Sequence, residues 1–118
     1  MDFKITYYQD SSGKDPVHEF LLEVSRSNLV LYNQTYKGLE KLRNRVYHKE
    51  PLSKHLESGL WELRIRVGTD ILRIVYTFAK GQVIILLHGF IKKQEKTPLG
   101  DLELARKRLR ELKMKEKN

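Results

Sequence analysis

The chain has 118 residues, 40% of them hydrophobic, with 23 Lys and Arg against 15 Asp and Glu for a net charge of +8, and no cysteine. Those figures fit one domain with one core and exclude disulfides and thiol-ligated zinc. The longest apolar run, Val83 to Leu87, is too short to span a bilayer, and the opening MDFKITYY lacks the apolar stretch of a secretory signal, so a soluble cytoplasmic protein with no membrane role is expected.

Phe3, Ile5 and Tyr7 alternate with polar neighbours, which predicts a first strand. Ser11-Ser12-Gly13 ends it, and Asp15-Pro16 supplies an N-cap followed by a first-turn proline. Val17, Phe20, Leu21 and Val24 then predict a helix from Pro16 to about Ser25. Ser27-Asn28 caps a second helix, whose stripe of Tyr32, Tyr36, Leu39 and Val46 carries it to about Tyr47, before Pro51.

Three strands follow. Trp61, Leu63, Ile65 and Val67 face one way, and Glu62, Arg64 and Arg66 the other. Ile71 to Phe78 comes after the Gly68-Thr69-Asp70 turn, and Gln82 to Phe90 after Ala79-Lys80-Gly81. The run Val83 to Leu87 predicts a strand buried on both faces and central in the sheet. A last helix opens at Thr97-Pro98, with Leu102, Ala105, Leu109 and Leu112 as its stripe and a frayed end from Lys115 to Asn118. The order is that of a single α+β domain over residues 1–118: strand, two helices, three-stranded meander, helix.

The chemistry begins with what is missing. There is no phosphate-cradling GxGxxG or GxxxxGK[ST] loop and no HExxH. His18, His48, His55 and His88 are scattered without carboxylates at ligand spacing, so neither a metal nor a cofactor is expected. What remains is cationic. The charge excess suits a polyanion, most often nucleic acid, less often acidic lipid or an acidic protein, and its plain alternative is solubility. Arg64 and Arg66 share one strand face about 6.8 Å apart. Arg73 lies inside the apolar run Ile71-Leu72-Arg73-Ile74-Val75, and Lys92, Lys93 and Lys96 emerge where the third strand of the meander ends. A guanidinium inside an apolar strand needs a partner or a groove. Arg73 therefore points into a concave basic site or pairs with Glu62. Glu62 itself reads as an ion-pair partner, His88 as a buried hydrogen-bonded histidine, and Trp61 as core.

The segment Lys54-His55-Leu56-Glu57-Ser58-Gly59-Leu60-Trp61-Glu62-Leu63-Arg64 resembles the KxLxxGLWELR signature of HigB-like toxins, the phage-derived branch of the RelE/ParE superfamily. Ile71 to Tyr76 resembles that superfamily's strand in which an arginine precedes two hydrophobic residues and a tyrosine. The run from His88 to Pro98, followed by Ala105 and Arg106, resembles the HGFxKKxxKTP motif and its helix. The resemblance spans Lys54 to Arg108. It implies a RelE-like fold, metal-independent and ribosome-dependent cleavage of mRNA, and inhibition by a HigA-like antitoxin with a helix-turn-helix domain, in a toxin–antitoxin heterotetramer.

By position, the resemblance places Arg73 on the scissile phosphate, Arg64 and Arg66 where relatives carry catalytic cations, and Lys93 and Lys96 among the basic residues after the last strand. Lys92, Lys41, Arg45, Lys54 and Arg106 complete an RNA-binding set. The RelE-type C-terminal tyrosine has no counterpart between Leu99 and Asn118, and Gln94 falls where some relatives carry arginine. The ParE branch, which poisons DNA gyrase, and a basic RNA- or DNA-binding module without catalysis are the alternative functions.

Overall fold

The computed structural model describes residues 2–116. Strand β1 (Lys4–Tyr7) leads into helices α1 (Pro16–Ser27) and α2 (Leu29–Leu42) and a 3₁₀ turn (Arg45–Tyr47). Strands β2 (Ser53–Glu57), β3 (Leu60–Val67), β4 (Asp70–Ala79) and β5 (Val83–Lys92) follow, then helix α3 (Leu99–Glu116). The five strands form one sheet in the order β1-β5-β4-β3-β2. β1 joins β5 in parallel, while the other four strands form an antiparallel meander. The α+β architecture is that of the RelE-like fold. Among the described residues no helix is long and apolar enough to cross a membrane.

The helical hairpin covers one face of the sheet. Val17, Leu21 and Val24 of α1 are buried there, as the spacing predicts. Pro16 occupies the first turn, but the Asp15 side chain makes no capping bond. Asn28 does cap α2, its side chain accepting from the Leu31 N–H at 3.1 Å. Two expectations for α2 are corrected. Its buried line is Leu31, Thr35, Gly38 and Leu42, one position away from the predicted stripe, and Tyr36 and Val46 are exposed. The shift centres on Gly38: a Cβ there would stand 2.5 Å from Ile65 Cδ1, so the missing side chain lets the helix settle onto β3. The helix also ends at Leu42 rather than Tyr47. Asn44 accepts from the Val46 N–H at 3.0 Å, and this local bond competes with helical pairing and starts the 3₁₀ turn.

In the sheet, β2 is an additional strand that periodicity does not reveal. It is short, polar and at the edge, with an irregularity in its pairing between His55 and Glu57. β5 is interior as expected, but β4 is the middle strand, because β1 adds to the far side of β5.

Helix α3 lies on the opposite face. Ala105 is fully buried against a cluster of Tyr8, Leu60, Val75, Leu87 and Phe90, with Leu102, Leu109 and Leu112 packed around it. The helix starts at Leu99, and the Thr97 hydroxyl, expected as a cap, instead donates to Glu62 at 2.9 Å. Helical structure continues through Glu116, past the expected start of fraying at Lys115, and Lys117 and Asn118 lie outside the described residues.

Candidate nucleic-acid interface

β3 and β4 bring the arginines to one face, because Arg64 and Arg73 are direct partners across the two strands and Arg66 is two residues farther along β3. This is the α3 side of the sheet. The helix packs chiefly on β5 and less on β4. The segment joining β5 to α3, residues 93–98, lies against the charged part of β3 and β4 as a strap.

At the centre is Glu62, fully buried. It accepts from Arg64 Nε at 2.7 Å and from Thr97 Oγ1 at 2.9 Å, and it stands 4.0 Å from Arg73 Nε. The ion-pair reading of Glu62 is therefore what the structure contains.

Arg73 is a correction. Its side chain is 0% exposed, so it does not open into a basic hollow. Its two terminal nitrogens donate to the main-chain carbonyls of Gln94 and Lys96, and the guanidinium lies 5.8 Å from the centre of the Phe90 ring. Arg73 Nε has no hydrogen-bond partner. Burial pushes the Arg73 guanidinium down from its ordinary range, with Glu62 pulling it back up and Arg64 lowering it further. The physical reason for the sealing is the strap: with Glu62 below and two carbonyls above, the charge is solvated by the protein itself.

The arginines on β3 grade outward. Arg64 is 10% exposed and also donates to the Glu95 carbonyl at 3.1 Å. Arg66 is 52% exposed, and its two terminal nitrogens each donate to a carboxylate oxygen of Glu95 at 2.8 Å. Those bonds hold the Glu95 carboxyl below the usual range and raise the Arg66 guanidinium.

Beside these two arginines is an open hollow of about 460 Å³. It lies where β2 pairing stops at Ser53, so the neighbour of Arg64 is the loop carbonyl of Leu52, which accepts the Arg64 N–H at 2.9 Å. Arg64, Arg66, Lys41 and Lys49 supply its cations, and Tyr47, Val46, Pro51 and Leu52 its apolar wall, with Glu50 as a lone acidic member. The Lys41 ammonium lies 5.8 Å from the Tyr47 ring centre, a cation–π distance. A second hollow, about 470 Å³, lies between β1 and the helical hairpin. Its lining is mostly apolar and aromatic, including Ile5, Tyr7, Leu21, Tyr32 and Tyr36, and Arg43 there already faces Asp2 and Glu40.

Of the expected site residues, the first hollow brings together Arg64, Arg66 and Lys41. Lys92, Lys93 and Lys96 are exposed at the end of β5 and on the strap, and Lys54 is exposed on edge strand β2. Arg45 lies over the Phe3 ring at 5.8 Å, outside the lining of the hollow. Arg106 lies outside the hollow: it holds both carboxylate oxygens of Glu57, at 2.9 and 2.7 Å, and ties α3 to β2.

Lys49, Tyr47 and Glu95 are members that sequence reasoning did not single out. Lys49 and Tyr47 gave no signal because the 3₁₀ turn places them. Glu95 gave a weak one, as the lone acid in a run of lysines.

Each histidine has a structural neighbour. His88 Nε2 pairs with Asp101 at 2.7 Å, His48 Nε2 with the Leu42 carbonyl at 2.6 Å, and His18 and His55 pack on Tyr7 and Trp61. Burial lowers the His88 imidazole from its usual range, against the pull of Asp101. Among the described residues no group of three or more His, Cys, Asp or Glu side chains is placed to hold a metal ion.

No curated protein matches the chain. Residues 20–110 match the family described as phage-derived protein Gp49-like. That stretch takes in most of α1, all of α2, the meander and most of α3, and with the arginine-bearing strands it contains, the chain belongs to the phage-derived Gp49-like family, a family of RelE/HigB-like toxins.

Proposed function

We propose that the protein is the toxin of a type II toxin–antitoxin pair, a HigB-like endoribonuclease that cuts mRNA on the ribosome without a metal ion and is held inactive by a HigA-like antitoxin. The observation that carries this reading is the hollow: two arginines from one strand face, two lysines and an aromatic ring around an opening of about 460 Å³. Its volume lies in the range of small-ligand sites. Cations suit a phosphate, and an exposed ring suits a base.

The chemistry asked of the site is transfer within the RNA. The 2′-oxygen attacks the adjacent phosphorus, the bond from phosphorus to the 5′-oxygen breaks, and a cyclic phosphate and a 5′-hydroxyl result. Negative charge grows on the non-bridging oxygens. Arg66, the more exposed arginine, can grip them at two points, and Arg64 stands behind it. A guanidinium stays protonated throughout, so these residues stabilise charge and do not move protons. Alignment of the 2′-oxygen and the proton transfers falls to the RNA held on the ribosome, which is why the reading includes one. Arg73, sealed under the strap, becomes a positioning residue that fixes Glu62 and the strap. Lys93, Lys96, Lys92 and Lys54 serve as salt-sensitive contacts to phosphates of mRNA and ribosomal RNA.

The test is to map mRNA 5′ ends after induction of the wild type, Arg66→Ala and Arg64→Ala. Wild type should arrest translation and leave discrete new ends, and loss of either arginine should reduce cleavage about a hundredfold. Arrest with intact mRNA would reject the reading, and DNA breaks in its place would assign the chain to the gyrase-poisoning branch.

A further inference from the structure

The arginine face already carries an anion of its own. Glu95 places its two carboxylate oxygens on the two prongs of Arg66, each at 2.8 Å, and stands 3.8 Å from Arg64. Two-point capture of a planar anion is also how a guanidinium holds a phosphate. The pair is open to water, with Arg66 52% and Glu95 69% exposed, so the grip is weak.

The backbone on either side of Glu95 is held in another way. Arg73 donates to the carbonyls of Gln94 and Lys96, Arg64 to the carbonyl of Glu95, and Thr97 to Glu62. The Arg73 and Glu62 side chains in that set are fully buried and Arg64 nearly so, and breaking their bonds would leave buried charge unpaired. The Glu95 side chain can therefore rotate out to solvent while the strap stays in place.

We propose that Glu95 is a built-in occupant of the phosphate position: it closes the Arg66 fork in the free protein, and a phosphodiester of single-stranded RNA takes the fork by displacing it. This rests on the reading of the hollow as a phosphate site and adds selectivity to it. An isolated weak anion gains little by replacing a tethered carboxylate, whereas an RNA strand that also meets Lys41, Lys49 and Arg64 gains several contacts at once.

The experiment titrates the full chain, Glu95→Gln, Glu95→Asp, Arg66→Ala and the double variant Glu95→Gln/Arg66→Ala with a short single-stranded RNA. Its 2′-oxygens are methylated so that it cannot be cut, and the titration is repeated over a range of salt. Glu95→Gln should bind about two- to fivefold tighter than wild type. Its plot of log affinity against log salt should steepen by about 0.7, because one more cation is freed to meet the strand. Glu95→Asp, whose carboxylate is too short to span the fork in the same way, should fall between. Arg66→Ala should weaken binding, and adding Glu95→Gln to it should bring no gain. A residue that only braced the strap would not change the salt slope. If Glu95→Gln and Glu95→Asp bind as wild type does while Arg66→Ala weakens binding, the displacement idea falls and the phosphate site stands. If Arg66→Ala binds unchanged, both fall.

Discussion

The two faces of the sheet make opposite use of the same strands. Toward the helical hairpin, Leu63, Ile65, Leu72, Ile74, Tyr76, Ile84 and Leu86 are all buried in one apolar cluster. Toward α3, a smaller apolar cluster includes Leu60, Val75, Leu87 and Phe90, and neighbouring positions of β3 and β4 are Glu62, Arg64 and Arg73. The change of chemistry follows the change of cover. Two helices span the first face, whereas a single helix spans part of the second and a strap with polar bonds crosses some of what is left. A face covered completely can only be stable, while a face left unfinished must solvate its own charges and can offer some of them to a ligand.

Adjacent residues of β3 test that contrast most directly. Glu62→Ala should cost the most, about 4 kcal/mol in chemical denaturation, because it leaves the Arg73 charge buried without its carboxylate. Leu63→Ala, one residue on and facing the hairpin, should cost about 3 kcal/mol through lost burial and an unfilled cavity. A loss for Glu62→Ala no larger than that of an exposed ion pair would mean that the polar face is not a buried network.

Gly89→Ala should cost about 2 kcal/mol, since a Cβ there would meet the Phe20 ring 2.5 Å away on the hairpin side. Replacing Phe20 by Leu as well should recover part of that loss, as read from melting curves.

A smaller effect separates the faces by pH. The His88 imidazole, held below its ordinary range by burial, faces Asp101 and Arg108 from α3. Its neutral form is the one the fold prefers. Its contribution is therefore complete above the ordinary histidine range and is lost as pH falls through that range toward the lowered folded value. Melting temperature should drop between about pH 8 and about pH 5, and a His88→Asn variant should show a shallower drop. Arg66→Ala should move the melting temperature least of all, because its pair with Glu95 is exposed.

Much of the fold was legible because it depends on local period. The helix face of Val17, Leu21 and Val24, the alternation of β3 and the apolar run of β5 each announce which side is buried. Glu62 as an ion-pair partner and His88 as a bonded histidine were legible for a related reason: a polar group in an apolar strand must find a partner. β2 was not, since a short polar edge strand exists only through its pairing with β3. The end of α2 at Leu42 and the placement of Lys49 and Tyr47 beside Arg64 were not legible either, because they follow from one side-chain bond of Asn44 and from the packing of Gly38 against Ile65.

By itself, the amino-acid sequence determined the order of elements other than β2, the alternating faces of β3, the cationic character of that face and the resemblance to the family. Tertiary structure decided which arginine meets solvent. Arg64, Arg66 and Arg73 are alike as residues and share one face, but the strap passes over Arg73 and leaves Arg66 at the rim. Exposure depends on what segment lies across a side chain in space, and nothing in the local pattern of a strand records that.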